Sequence, residues 1–402
     1  MTVCAPHGTQ SAPQSTSQGA SPPVDMRRTA FTVTVDGSYA AWLALGHGTD
    51  GWFPERWTLD GPEPYAVSLP GSQPEEPDTE VLPLTDGRVL IRRRVAERYA
   101  LSLLYPTGPG TGELPLGAIE CPYLSLLPPA PDGSSAYALV HGEERTTLWR
   151  VHGGPGGPEL LATVPGRCEG GAWLDRSGRL LALDRELDGL TKAVVVDLGR
   201  GGETSPLLQI TDKSNDRLLL AEPDSGLLLV RSDAPGVDRL GWGVLGSARP
   251  VRFPECLLLP DASVTPFAAQ PGQGLSPEAC SVAFRIDRAA GSWVGVWRPA
   301  KKRLQQFQGP VGWLAGAGLW TADGELRLPF VTPGVPCGLA RLRLSEDGAG
   351  VVVGEAREEA GCALAAGAED DESDRPDDPD GPSLVPAPRP VPLQQAPCAR
   401  TS

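Results

Sequence analysis

The chain is poor in the residues that most chemistry and most nucleic-acid binding require. It has 402 residues but only four lysines and four histidines, and its formal net charge is −15. With 50 acidic residues against 35 basic ones, the net charge argues against phosphate backbones and anionic membrane faces as partners. No apolar run reaches the length of about 18 residues that a spanning helix needs. The eight cysteines are never closer than 24 residues apart, so the paired spacing of local zinc and redox sites is absent. They are read as free thiols, most of them acting as small buried hydrophobes. No Gly-x-Ser-x-Gly nucleophile elbow occurs. Gly153–Gly157 is glycine-rich, but it contains a proline and follows a strand pattern, so it reads as a loop rather than a phosphate cradle. His7, His47, His141 and His152 have no partner at metal-ligand spacing.

Glycine and proline, by contrast, are abundant, with 49 and 43 residues. Such punctuation favours many short strands over long helices. Residues 1–27 are rich in Ser, Gln and Pro and read as a disordered head. Residues 28–356 carry dense strand patterning. Residues 357–402 form an acidic, then proline-rich tail, in which Glu369–Asp380 alone has a net charge of −7. The tail is expected to be disordered. The start lacks a basic segment followed by an apolar one, so a secretory signal is not expected and a cytoplasmic location is. Met26 is an alternative start. The preponderance of arginine over lysine, with much Ala, Gly and Pro, points to a GC-rich bacterial genome.

The middle region repeats. A turn ending in Gly precedes an apolar strand at Gly37, Gly87, Gly133, Gly178, Gly226 and Gly324, in steps of 50, 46, 45, 48 and 98. The last step is a double one, and Ser276–Cys280, with Ala279 in the Gly position, fills it. A second landmark lies 19 residues after each of five turns, at Pro106, His152, Asp197, Leu245 and Arg298. Units of about 48 residues fit one four-stranded blade each, and seven of them predict an all-β, seven-bladed β-propeller. Each blade leaves an apolar face bare until its neighbour covers it.

The fourth unit reads Gly171-Ala-Trp-Leu-Asp-Arg-Ser-Gly-Arg-Leu-Leu-Ala-Leu-Asp184, followed by Lys192-Ala-Val-Val-Val-Asp-Leu-Gly199. It resembles the repeats of TolB-type propellers and of the propeller of prolyl-oligopeptidase-type serine peptidases. Leu174 and Asp175 stand where those repeats have Ser-Pro. The resemblance implies a fold and not an activity.

Strands B and C of each blade are antiparallel, so the B–C loops share one face, opposite the Asp-Gly turns. These loops carry charges of both signs. The candidate ligand-binding residues are Arg98, His141, Glu144, Arg185, Asp233 and Arg288, with Trp52 and Phe53 as an aromatic anchor in a longer loop, Gly51–Trp57, of the first blade. The plain alternative is loop solvation with inter-blade ion pairs, each worth little. The other tryptophans, such as Trp149, Trp173, Trp297 and Trp320, recur at strand positions and read as core. The leading expectation is a non-enzymatic scaffold that binds a protein or peptide through the B–C face, with no cofactor and no metal. Two alternatives stand beside it. One is an accessory or remnant propeller of a prolyl-oligopeptidase-type hydrolase. The other is a lyase or lactonase with a carboxylate-lined channel.

Overall fold

A computed structural model describes residues 31–45, 51–108, 110–272, 274–344 and 350–353. The expected head and tail, His7 and His47 lie outside these residues. Seven antiparallel sheets follow one another along the chain. Blade 1 holds β1 (Thr32–Val33), β2 (Tyr39–Leu45), β3 (Trp52–Thr58) and β4 (Tyr65–Ser68). Blade 2 holds β5 (Glu80–Pro83), β6 (Val89–Val95), β7 (Arg98–Pro106) and β8 (Thr111–Glu120). Blade 3 has β9 (Leu124–Leu126), β10 (Ala136–His141), β11 (Arg145–His152) and β12 (Glu159–Pro165). Blade 4 has β13 (Arg167–Trp173), β14 (Leu180–Leu187), β15 (Leu190–Asp197) and β16 (Glu203–Leu208). Blade 5 has β17 (Asp216–Glu222), β18 (Leu227–Ser232) and β19 (Arg239–Val244). Blade 6 has β20 (Ser263–Ala269), β21 (Val282–Arg288), β22 (Gly291–Trp297) and β23 (Gln305–Gln308). Blade 7 has β24 (Leu319–Trp320), β25 (Glu325–Thr332), β26 (Val335–Leu344) and β27 (Gly350–Val353). The protein is a seven-bladed β-propeller.

In blade 5 the fourth strand is reduced to one bridge, Trp242 to Arg252. Pro250 and Pro254 flank that bridge and have no N–H to extend the ladder. The Arg252 guanidinium covers the Trp242 ring at 5.1 Å.

The repeat landmarks have structural causes. All six turn glycines have positive φ, from 69° at Gly133 and Gly178 to 85° at Gly324. Side chains other than Gly rarely adopt that region. Ala279 keeps a negative φ, and its N–H closes a turn onto Ser276 O at 2.9 Å. The 19-residue landmark marks the end of strand C, so the B–C hairpin has constant length. Blade 5 preserves it by pairing shorter strands with a longer loop.

The core lies between the blades. The buried apolar residues form seven clusters, one at each seam. Polar staples repeat the period: Thr85 N donates to Gly133 O at 3.0 Å, Arg176 Nε to Asp224 Oδ1 at 2.9 Å, and Gly272 N to Asp224 Oδ2 at 3.1 Å, each pair 48 residues apart. Blades 1 and 7 are each built from contiguous chain, and among the described residues no sheet is shared across the closing seam. Side chains close it instead. Trp57, fully buried, packs with Leu59, Leu314 and Ala317. Phe31 meets Trp57 edge-on at 4.9 Å, and Glu55 accepts from the indoles of both Trp42 and Trp57.

The loop reading of Gly51–Trp57 is corrected. Trp52 and Phe53 belong to strand β3, where Trp52 pairs with Leu45 and Phe53 with Ala44. Pro54 had made the segment look like a loop. Its carbonyl accepts from Leu69 N on the outer side, so its nitrogen also faces outward and costs the ladder to β2 no bond; the rung it gives up is the one to Leu69, just past the end of β4.

Candidate face at the channel mouth

Strand A of each blade is innermost and runs toward the Asp-Gly turn. Strand B returns from it. The ends of the B strands, the B–C loops, the D–A connections and the starts of the A strands therefore share one face around the mouth of the central channel.

The inner polar side chains there mostly clamp blade to blade. Glu80 Oε2 accepts from Leu126 N of blade 3 at 2.7 Å and lies 3.3 Å from Arg92 Nε. Burial raises the Glu80 pKa, against the pull of Arg92. Asp184 Oδ1 accepts from Leu218 N of blade 5 at 2.8 Å. Burial pushes its carboxyl up to about 6. Arg231 Nη2 donates to Val264 O of blade 6 at 3.1 Å. Asp216 is fully buried and satisfied by Lys192 Nζ at 2.7 Å, Ser232 Oγ at 2.6 Å, Ile210 N at 2.9 Å and Ser214 Oγ at 3.0 Å.

Next to these clamps stands a freer group. His141 Nε2 is hydrogen-bonded to Ser125 Oγ at 2.9 Å, and its ring lies 5.1 Å from that of the exposed Tyr123. Burial lowers the His141 pKa, and Arg167 adds to the effect. The ring is therefore neutral near pH 7 and serves as a hydrogen-bonding and stacking group. Glu169 lies 3.1 Å from Arg167 and 3.6 Å from Arg217, which bridges blades 4 and 5. The Gly170–Gly171 bulge, with φ of 74° and 137°, follows at once. Among the described residues no group of three His, Cys, Asp or Glu side chains is placed to hold a metal ion.

The expected site residues surround the mouth without converging. Arg98 and Glu144 are exposed, at the start of β7 and in the loop before β11. Arg185 is half-buried on β14. Asp233 is clamped by Asn215 N and Nδ2 at 2.8 and 2.9 Å, and these bonds lower its pKa. Arg288 donates to Gln306 Oε1 in the outer strand of its own blade at 2.8 Å. Trp52 packs into the seam of blades 1 and 2. Tyr123, Arg167, Glu169 and Arg217 were not anticipated. The Gly-Gly pair directly after Glu169, inside a strand pattern, was the available signal, because such glycines mark bulges.

No family model matches the sequence, and no curated protein matches it. Solved structures do. The β-propeller domain of the Trilobed protease from Pyrococcus furiosus, described as having an open velcro topology, is 10% identical with a TM-score of 0.52, and the match covers 84% of this chain and 98% of that one. TolB from Acinetobacter baumannii is 13% identical with a TM-score of 0.39 over 78% of this chain and 79% of its own. Oligopeptidase B from Leishmania major is 13% identical with a TM-score of 0.49; the match covers 80% of this chain and 45% of that one, so this chain matches less than half of that enzyme. At these identities the likeness is one of fold: a propeller similar to TolB and to the propeller domains of prolyl oligopeptidases.

Proposed function

We propose that this chain is a non-enzymatic propeller scaffold that binds a protein or peptide through the B–C face. One observation carries the reading. Of the twelve large apolar side chains exposed among the described residues, seven lie on that face. Leu45, Val95 and Leu187 end B strands, Val237 sits in a B–C loop, and Tyr123, Leu258 and Val311 sit in D–A connections. Apolar groups distributed among charges of both signs are the composition of a recognition surface. Arg98, Glu144, Arg185, Arg167 and Glu169 supply a polar rim. Asp233 and Arg288, held by their own chain, contribute less.

Affinity capture from native lysate tests this with paired variants. Tyr123→Asp/Leu187→Asp on the B–C face should lose the partner that wild type retains. Tyr105→Asp, at the opposite end of β7, should keep it. The reverse pattern contradicts the proposal, as does loss of the partner only when residues 369–380 are deleted.

A further inference from the structure

The innermost strands are shortest at the closing seam. β24 and β1 have two residues each, whereas β13, β17 and β20 have seven. Among the described residues, a cavity of about 450 Å³ lies beside these short strands. Its lining is mixed: Phe31 and Trp42 from blade 1, Phe267 from blade 6, and Leu314 and Ala315 from the D–A connection leading into blade 7 supply the apolar part, beside polar surface that includes Thr265. A charged side chain, Arg285 of β21, stands in this lining.

Arg285 is held but not exhausted. Its Nε donates to Asp287 Oδ1 at 2.8 Å, and Ser292 Oγ donates to the same oxygen at 2.5 Å, which fixes the guanidinium. Nη1 reaches Ala315 O only at 3.5 Å, the long limit of a hydrogen bond. A guanidinium has five donors, and its terminal edge matches a carboxylate bidentately even while another edge is engaged.

We infer that this recess receives the C-terminal residue of a partner peptide. The carboxylate sits on the terminal edge of Arg285, and the apolar side chain lies among Phe31, Trp42 and Phe267. The inference rests on the peptide-binding reading above and narrows it. Arg285 is already paired with Asp287, so the recess selects a carboxylate through the geometry of the terminal guanidinium edge rather than through net charge; Phe31, Trp42 and Phe267 select an apolar body, and the volume lies within the range of small-ligand pockets. A chain terminus is favoured over a free acid because Val311, 82% exposed, lies in the same D–A connection and offers the preceding residues an apolar surface.

The test selects binders to the purified full-length protein from a random peptide library displayed with free C-termini. The enriched peptides are then synthesised as acids and as amides. Enrichment of apolar C-terminal residues is expected. Amidation should weaken binding at least about tenfold, the scale of one lost charge-assisted pair. Arg285→Gln should weaken the acid equally and leave the amide unchanged, and Arg285→Lys should recover part of the loss. Equal binding of acid and amide overturns the inference, as does indifference to Arg285→Gln in a variant that unfolds at the wild-type temperature. So does N-acetylphenylalanine binding as tightly as the peptides. Peptides that bind whatever their C-terminus, and are lost from Tyr123→Asp/Leu187→Asp, overturn this inference alone. A library that yields no binder overturns the peptide reading with it.

Discussion

Replacing Asp184 by asparagine removes one buried charge and leaves the shape of the side chain intact. Asp184 is 6% exposed, with Oδ1 on the Leu218 N–H. Burial pushes its pKa from 3.8 up to about 6, against the Leu218 hydrogen bond and the Arg217 charge. The folded protein thus binds this proton more tightly than the unfolded chain does. The stability linked to that proton is fully present below the unfolded value near 4 and is lost as pH rises through about 6. Above that, the folded state carries a carboxylate disfavoured by up to roughly 3 kcal/mol, at about 1.4 kcal/mol per unit. Asparagine keeps the acceptor for Leu218 and does not titrate. Urea unfolding of wild type and Asp184→Asn at several pH values isolates the effect, because all other groups cancel in the difference. The two should be nearly equal at pH 4, and the variant more stable at pH 7.5 by up to about 3 kcal/mol. A difference independent of pH would refute the reasoning, as would a variant that is the less stable one at pH 7.5.

The turn glycines should separate into two classes by thermal unfolding. At Gly178 an added Cβ meets only Pro131 at an ordinary 3.6 Å, so Gly178→Ala should cost about 1 kcal/mol through its positive φ alone. At Gly133 a Cβ would overlap the Thr85 side chain of blade 2, so Gly133→Ala should cost clearly more. Trp57→Ala empties the centre of the closing-seam cluster and should lower stability by about 3–5 kcal/mol in denaturant titration. Asp216→Ala strands Lys192 and should cost about 3–5 kcal/mol, whereas Lys192→Met with Asp216→Leu should recover much of it.

The architecture was legible because a propeller repeats a local device. Positive φ at Gly37, Gly87, Gly133, Gly178, Gly226 and Gly324 leaves a mark at nearly constant spacing, and the constant B–C hairpin leaves a second. Blade 1 misled because Gly51 and Pro54 punctuate a strand, and a tolerated proline is indistinguishable from a loop proline until the outer strand is known to have ended. The site was legible only as a face. Loop charges could be counted, but their partners could not be foreseen. Asp233 is consumed by Asn215, just ahead of β17, and Arg288 by Gln306 on β23, two strands over; each partner is 18 residues away. Glu80 and Glu169 lay hidden in strand runs, where only the tertiary ring reveals that strand A borders a channel. The closing-seam recess depends on the packing of Phe31 of blade 1 against Phe267 and Arg285 of blade 6, which no local pattern encodes.

Hydrogen exchange of the partner complex tests the central claim most directly, since it reads both faces of the ring in one experiment. Binding through the B–C face predicts slowed exchange in residues 95–98, 121–125, 187–190, 233–238 and 309–317, with the turns at Gly87, Gly133, Gly178 and Gly226 unchanged. Protection confined to those turns, or to the outer strands β8 and β12, would contradict it.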